Sequence, residues 1–124
     1  GKLPDSMSKF ANLTDLLMSG NQLTGSIPTS VNVLQKLNSL NLSGNRMSGT
    51  IPPSSIGLLP SLTILDLSGN EITGVIPPDF NNLKLNNLNM SSNQAHRVGA
   101  ALAAERGIRD QFLGNHGSVL KVPE

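Results

Sequence analysis

The apolar positions of this chain fall into one short phrase that recurs four times. Residues 13–21 (LTDLLMSGN), 37–45 (LNSLNLSGN), 62–70 (LTILDLSGN) and 85–93 (LNNLNMSSN) all read LxxLxLxxN, with Met in place of Leu at 18 and 90. The closing Asn residues stand 24, 25 and 23 positions apart. A second phrase follows three of the copies: QLTGSIP at 22–28, RMSGTIP at 46–52 and EITGVIP at 71–77. Such a period marks an architecture in which each turn of chain buries its apolar face against the next.

Each position of the phrase has a physical task. The last two apolar residues alternate with polar ones, the period of a strand buried on one face. Leu16 and Met18, Leu40 and Leu42, Leu65 and Leu67, and Leu88 and Met90 therefore point inward, and stacked copies pair as a parallel sheet. The Asn lies where the chain leaves the strand, and its amide both donates to and accepts from backbone groups. A ladder of Asn21, Asn45, Asn70 and Asn93 is expected to satisfy the polar backbone of that corner. Gly25, Gly49 and Gly74 permit a tight bend, and the Ile before each Pro is held extended.

The segment returning to the next strand carries Val31 and Leu34, Ile56 and Leu59, and Phe80 and Leu83, spaced to face the core from a short helical or 3₁₀ stretch. All length variation falls there. Pro28 to Leu37 is nine residues, Pro52 to Leu62 ten and Pro77 to Leu85 eight. A paired strand cannot absorb an insertion without turning its side chains to the wrong face, whereas an outer connection can.

Composition narrows the function. The chain has 124 residues, a one-domain length, and its commonest residues include 20 Leu, 15 Ser and 14 Asn. Lys and Arg number 9 against 8 acids, so nothing in the net charge of +1 favours nucleic acid or an anionic membrane. Three Phe with no Trp or Tyr leave an aliphatic core and no stacking platform for bases. With no Cys, disulfides and thiolate chemistry are excluded. No apolar run reaches the roughly 18 residues of a membrane span. No motif suggests a cofactor, a metal site or an enzyme: His96 and His116 have no paired carboxylate or nucleophile at a useful spacing.

The combined phrase LxxLxLxxNxLxGxIP closely resembles the plant-type leucine-rich repeat, as found in the ectodomains of receptor-like kinases and receptor-like proteins and in polygalacturonase inhibitors. The resemblance covers residues 1–94: a partial repeat at 1–12, whose Gly1-Lys2-Leu3-Pro4 looks like the end of a GxIP phrase, and repeats starting near 13, 37, 62 and 85. It implies an α/β leucine-rich-repeat solenoid, a right-handed superhelix with a parallel concave β-sheet and short return segments. It also implies an extracellular setting, secreted or in a plasma-membrane ectodomain, and a binding function.

Residues 95–124 depart from the pattern. Read one base later, the codons for the segment starting at Ala95 can encode Leu-Thr-Gly-Ser-Val-Pro-Arg-Ser-Leu, an ordinary repeat continuation, so an out-of-frame origin is expected for about 95–109. Phe112-Leu113-Gly114-Asn115-His116-Gly117 resembles the phrase that introduces the family's C-terminal cap, but Ser118-Val119-Leu120 follows where the family commonly has Cys. The cap is read as degenerate. The missing Cys caps predict self-association through uncapped ends and a domain cut from a larger ectodomain.

Alternation also predicts the side chains on the concave face. The ligand-binding candidates are Asp15, Leu17, Ser39, Asn41, Ile64, Asp66, Asn87 and Asn89, with Asp15 and Asp66 the only charges. Ser19, Ser43, Ser68 and Ser91 form a column better explained as a repeat feature than as a recognition code. Three N-x-S/T sequons name Asn12, Asn41 and Asn89 as glycosylation candidates. The leading expectation is a module binding a protein or peptide, including a receptor kinase or co-receptor, in plant signalling or defence. A secreted inhibitor of microbial polygalacturonase and an ice-binding solenoid using Thr24, Ser48 and Thr73 are the alternatives.

Overall fold

In the computed structural model, residues 1–74 and 76–93 are described. The segment for which an out-of-frame origin is expected, the phrase read as a degenerate cap and both His residues lie outside them. Among the described residues are six strands: β1 (Asp15–Leu17), β2 (Ser39–Asn41), β3 (Ser48–Gly49), β4 (Ile64–Asp66), β5 (Glu71–Ile72) and β6 (Asn87–Asn89), with a 3₁₀ turn before β1, β2, β4 and β6. The turns are Ser8–Phe10, Thr29–Val33, Ile56–Leu58 and Pro78–Asn82. The wide strand-to-strand period places one copy of the LxL phrase directly beside the next. A parallel sheet in the order β1-β2-β4-β6 results.

Its register matches the sequence alignment residue for residue. Asp15, Ser39, Ile64 and Asn87 form one row across the sheet, and Leu17, Asn41, Asp66 and Asn89 another. Between them Leu40, Leu65 and Leu88 are buried, as are Leu42, Leu67 and Met90 one step on. The expected return residues Val31, Leu34, Ile56, Leu59, Phe80 and Leu83 close the core from the other side. Burying an aliphatic side chain contributes about 1.5–3 kcal/mol, so the stack is held by the same contact repeated between turns.

The expectation that Leu16 and Met18 are buried like their equivalents needs correction. Both are only partly buried, whereas Leu40 and Leu42 are wholly so. The cause is position: β1 is the edge of the sheet, with no described strand paired on its outer side and only the partial turn of residues 1–12 beside it. There an apolar cavity of about 310 Å³ opens, lined by Leu3, Met7, Phe10, Leu13, Leu16 and Met18 among others.

Two features are absent from the sequence reading. A second, two-stranded parallel sheet joins β3 to β5 on a lateral face, and an isolated bridge pairs Lys2 with Thr24 in the same manner. The second feature is a bend at Gly20, Gly44 and Gly69, with φ of +68°, +67° and +67°. A Cβ added at Gly69 would lie 3.3 Å from the Gly44 backbone N, so the column serves close stacking as well as the positive φ. In the fourth copy Ser92 takes that bend at φ +58°.

Candidate functional site on the concave sheet

The outward face of the four-stranded sheet carries every predicted concave residue, and the register brings them into two polar rows. In the second row the side chains are partly committed to the fold. Asn41 Oδ1 accepts from the Ser43 N–H at 3.0 Å and from its hydroxyl at 2.7 Å. Asp66 Oδ1 accepts the same pair from Ser68 at 3.0 and 2.6 Å, and Asn89 Oδ1 from Ser91 at 3.1 and 2.7 Å. The serine column thus closes a local turn after each of these strands. Sequence spacing held the signal for it, an Asx two residues before Ser in three copies.

What remains available is more specific than the row itself. Asp66 keeps Oδ2 without a partner, and Asp15 keeps Oδ1, its Oδ2 accepting from the Thr14 hydroxyl at 3.0 Å. Leu17 is 63% exposed and Ile64 is 38% exposed. Ser39, by contrast, is nearly covered, at 8%. Among the described residues no cation occupies either row, because Lys2, Lys9, Lys36, Arg46 and Lys84 all lie off these strands. The face therefore presents two carboxylate oxygens and two aliphatic side chains on a rigid polar ground.

Of the sequon residues, Asn12 lies in the exposed loop before β1, its Oδ1 accepting from Lys36 Nζ at 3.1 Å. Asn41 and Asn89 lie in β2 and β6, where their Oδ1 atoms make the turn just described.

Beneath the face, the Asn ladder fixes successive turns to one another. Asn45 Oδ1 accepts from the Leu23 N–H at 3.1 Å, Asn70 Oδ1 from the Met47 N–H at 3.0 Å and Asn93 Oδ1 from the Ile72 N–H at 3.0 Å. The Nδ2 of Asn70 donates to the carbonyls of Leu42 in the previous turn and of Leu67 in its own, at 2.9 and 3.1 Å. Asn21 is the exception. It is exposed and donates only to Met18 and Ser19 of its own turn, at 3.0 and 3.2 Å.

Two models of the family described as leucine-rich repeat match residues 12–34 and 35–94, together more than half of the chain. No curated protein sequence matches. Among solved structures, the ectodomain of the Arabidopsis receptor kinase HAESA in complex with an extended IDA peptide hormone is 45% identical, with a TM-score of 0.73 over 78% of this chain and 16% of that one. The ectodomain of the Arabidopsis receptor kinase SOBIR1 is 34% identical, with a TM-score of 0.70 over 75% of this chain and 50% of its own. A plant ice-binding protein is 35% identical, with a TM-score of 0.71 over 77% of this chain and 31% of its own. The chain thus spans half or less of the length of each. With the repeat phrases, the parallel sheet and the family match in agreement, the chain belongs to the leucine-rich-repeat family, in its plant-type form.

Proposed function

We propose that this chain is a recognition module that binds a peptide or a protein segment on the concave face of its sheet, in the extracellular setting of plant receptor signalling or defence. The observation that carries the reading is the pairing of unpartnered carboxylate oxygens with exposed Leu17 and Ile64 on a face that the core does not require. The peptide-hormone complex of the 45% identical HAESA ectodomain supports it. Recognition here is surface complementarity on rigid strands, with no bond made or broken and no cofactor. A glycan at Asn12 is compatible with this proposal, whereas glycans at Asn41 and Asn89 would obstruct the concave face and move binding to the rim or a lateral face; intact-mass comparison before and after deglycosylation reads which are present.

A displayed random-peptide library, panned on the secreted chain, tests the reading. Selected peptides are expected to bind the parent chain and to lose binding to a Leu17→Lys, Ile64→Lys double variant. Ser48→Lys on the lateral face should leave binding intact. Selection equally retained by the double variant contradicts a concave site. A parallel pull-down from plant tissue and fungal culture filtrate separates a receptor or co-receptor partner from the inhibitor alternative, which capture of a polygalacturonase would establish.

The lateral face favours a second reading. Thr24, Ser48 and Thr73 hold the same place in successive repeats, with Ser26 and Thr50 two residues further on, although the pairing is staggered: Ser48 stands opposite Glu71 and Thr24 opposite Lys2. The ice-binding neighbour gives that ladder a candidate ligand. An ice-recrystallisation assay checks it: inhibition by the parent chain and its loss in Ser48→Lys are expected if ice is bound there.

The open end beside β1 supports self-association with a second copy. Ser39 N–H and the Asn41 carbonyl are the groups with which β2 joins β1, and their equivalents on β1, Asp15 N–H and the Leu17 carbonyl, lie on the outer edge. Sedimentation is expected to show concentration-dependent dimers that Phe10→Lys, at the rim of the cavity, abolishes.

A further inference from the structure

The charged and aliphatic groups of the concave face, Asp15, Leu17, Ile64 and Asp66, are not scattered. Asp15 and Leu17 stand at the two ends of β1, and Ile64 and Asp66 at the two ends of β4, with β2 between the strands. They form the corners of a parallelogram whose diagonals differ in chemistry: Asp15 and Asp66 carry the carboxylates, Leu17 and Ile64 the exposed aliphatic surface. Crossing the sheet along either row, a ligand meets one acid and one apolar group separated by two strand spacings, about 10 Å. The order is reversed between the rows. In the first row the acid comes on β1 and the apolar group on β4; in the second the apolar group comes first.

This spacing selects a backbone conformation. In a β-strand residues on one face recur every second position, about 7 Å apart, and residues three apart point to opposite faces. In polyproline II, three residues make one turn with a rise of about 3.1 Å each, so positions i and i+3 share a face about 9 Å apart. Only the second geometry places one side chain over Asp15 and the next on the same face over Ile64. We infer that the ligand of the concave face is a peptide segment in polyproline II conformation that crosses β1, β2 and β4, with a Lys or Arg and an aliphatic residue three positions apart. The inference rests on the concave-face reading above and adds the ligand's charge, spacing and backbone form.

Charge complementarity supplies the cation. The two free carboxylate oxygens face solvent with no basic side chain in either row, so a cationic group gains an ion pair that the protein does not make internally. Leu17 and Ile64 supply the apolar contact, because the wall that each offers lies beside an acid rather than inside a continuous apolar patch. Ser39, buried between Asp15 and Ile64, keeps the floor low enough for the crossing backbone. Reversal of the two rows has a further consequence: a segment read in the opposite chain direction meets the same order of groups, so the motif is accepted in both orientations.

Synthetic acetylated peptides test this directly. Arg-Pro-Pro-Leu in a proline-rich frame is the probe, compared by fluorescence anisotropy with Arg-Pro-Leu, Glu-Pro-Pro-Leu and Leu-Pro-Pro-Arg. The first and last should bind alike, and about ten-fold more tightly than the shortened or acidic peptides. Because either row accepts the probe, Asp15→Asn with Asp66→Asn, and Leu17→Ser with Ile64→Ser, checked for folding by circular dichroism, should each weaken the Arg-Pro-Pro-Leu complex several-fold, whereas Asp15→Asn alone should cost no more than about two-fold. Added salt should weaken it further in the parent chain than in the Asp15→Asn, Asp66→Asn double variant. Binding of library-selected peptides that ignores charge and spacing overturns the inference while leaving peptide recognition standing; failure of every peptide to bind the folded chain overturns both.

Discussion

Asn70→Ala is expected to destabilise the stack by about 2–4 kcal/mol, while Asn21→Ala costs less than about 1 kcal/mol. The two residues occupy the same place in the repeat, so the contrast isolates what the ladder does. Asn70 is buried, and its Oδ1 is the acceptor for the Met47 N–H. Removing it leaves that buried donor without a partner, deletes the donations to Leu42, Leu67 and Ser68, and opens a void in the corner. Asn21 is exposed, and the Met18 carbonyl it contacts is also reached by Asn45. Because each turn of a solenoid touches only its neighbours, Asn70→Ala should also loosen the coupling across one turn boundary. Urea unfolding followed by circular dichroism measures both. Equal losses at the two positions would show that the ladder acts through local turn propensity rather than by joining turns.

A loss of about 2–4 kcal/mol is also expected for Gly57→Ala, from overlap rather than backbone conformation. Gly57 is buried and is not among the glycines with positive φ. A Cβ built there would overlap Oδ1 and Cγ of Asp79 from the next turn. Asp79 cannot swing aside freely, because its Oδ2 accepts from the Ser54 N–H at 2.8 Å, and Ser54 itself sits at φ +60°. The 3₁₀ turns Ile56–Leu58 and Pro78–Asn82 are thereby locked together on the outer side of the solenoid, opposite the sheet. Asp79→Ala alone should cost no more than about 1 kcal/mol, because the Ser54 N–H is exposed and water takes the place of the carboxylate. In the double variant the overlap is gone, so a coupling of at least about 1 kcal/mol is expected in the cycle. Additive losses would mean that something other than this contact requires the glycine.

The central turns were legible because their environment repeats. Leu40, Leu65 and Leu88 each have a like neighbour, so alternation alone places them inward, and Asn45 and Asn70 find both their own turn and the one before. A repeated phrase makes every copy look central, which overstates β1: Leu16, Met18 and Asn21 have the right residue types but lack a paired strand on one side. The lateral pairing of β3 with β5 was harder to see, since its strands are two residues long and show no alternation. Asp79 was invisible for a different reason. Its position is Ser in the two earlier turns, Ser30 and Ser55, so the carboxylate that packs on Gly57 breaks the repeat rather than following it. On the concave face, the two rows followed from alternation, whereas the capture of Asn41, Asp66 and Asn89 by the serine column, which separates committed from available groups, needed coordinates.

The central claim is that the concave face between β1 and β4 is the recognition surface. Methyl-resolved NMR on the 124-residue chain tests it most directly, because reporters stand on every face: Leu17 and Ile64 on the concave rows, Thr24, Thr50 and Thr73 on the lateral face, and Val33 and Leu58 on the outer 3₁₀ side. On titration with Arg-Pro-Pro-Leu or a library-selected peptide, saturable shifts are predicted at Leu17 and Ile64, with the other methyls unmoved. Shifts at the lateral or outer methyls with Leu17 and Ile64 unchanged would contradict the account.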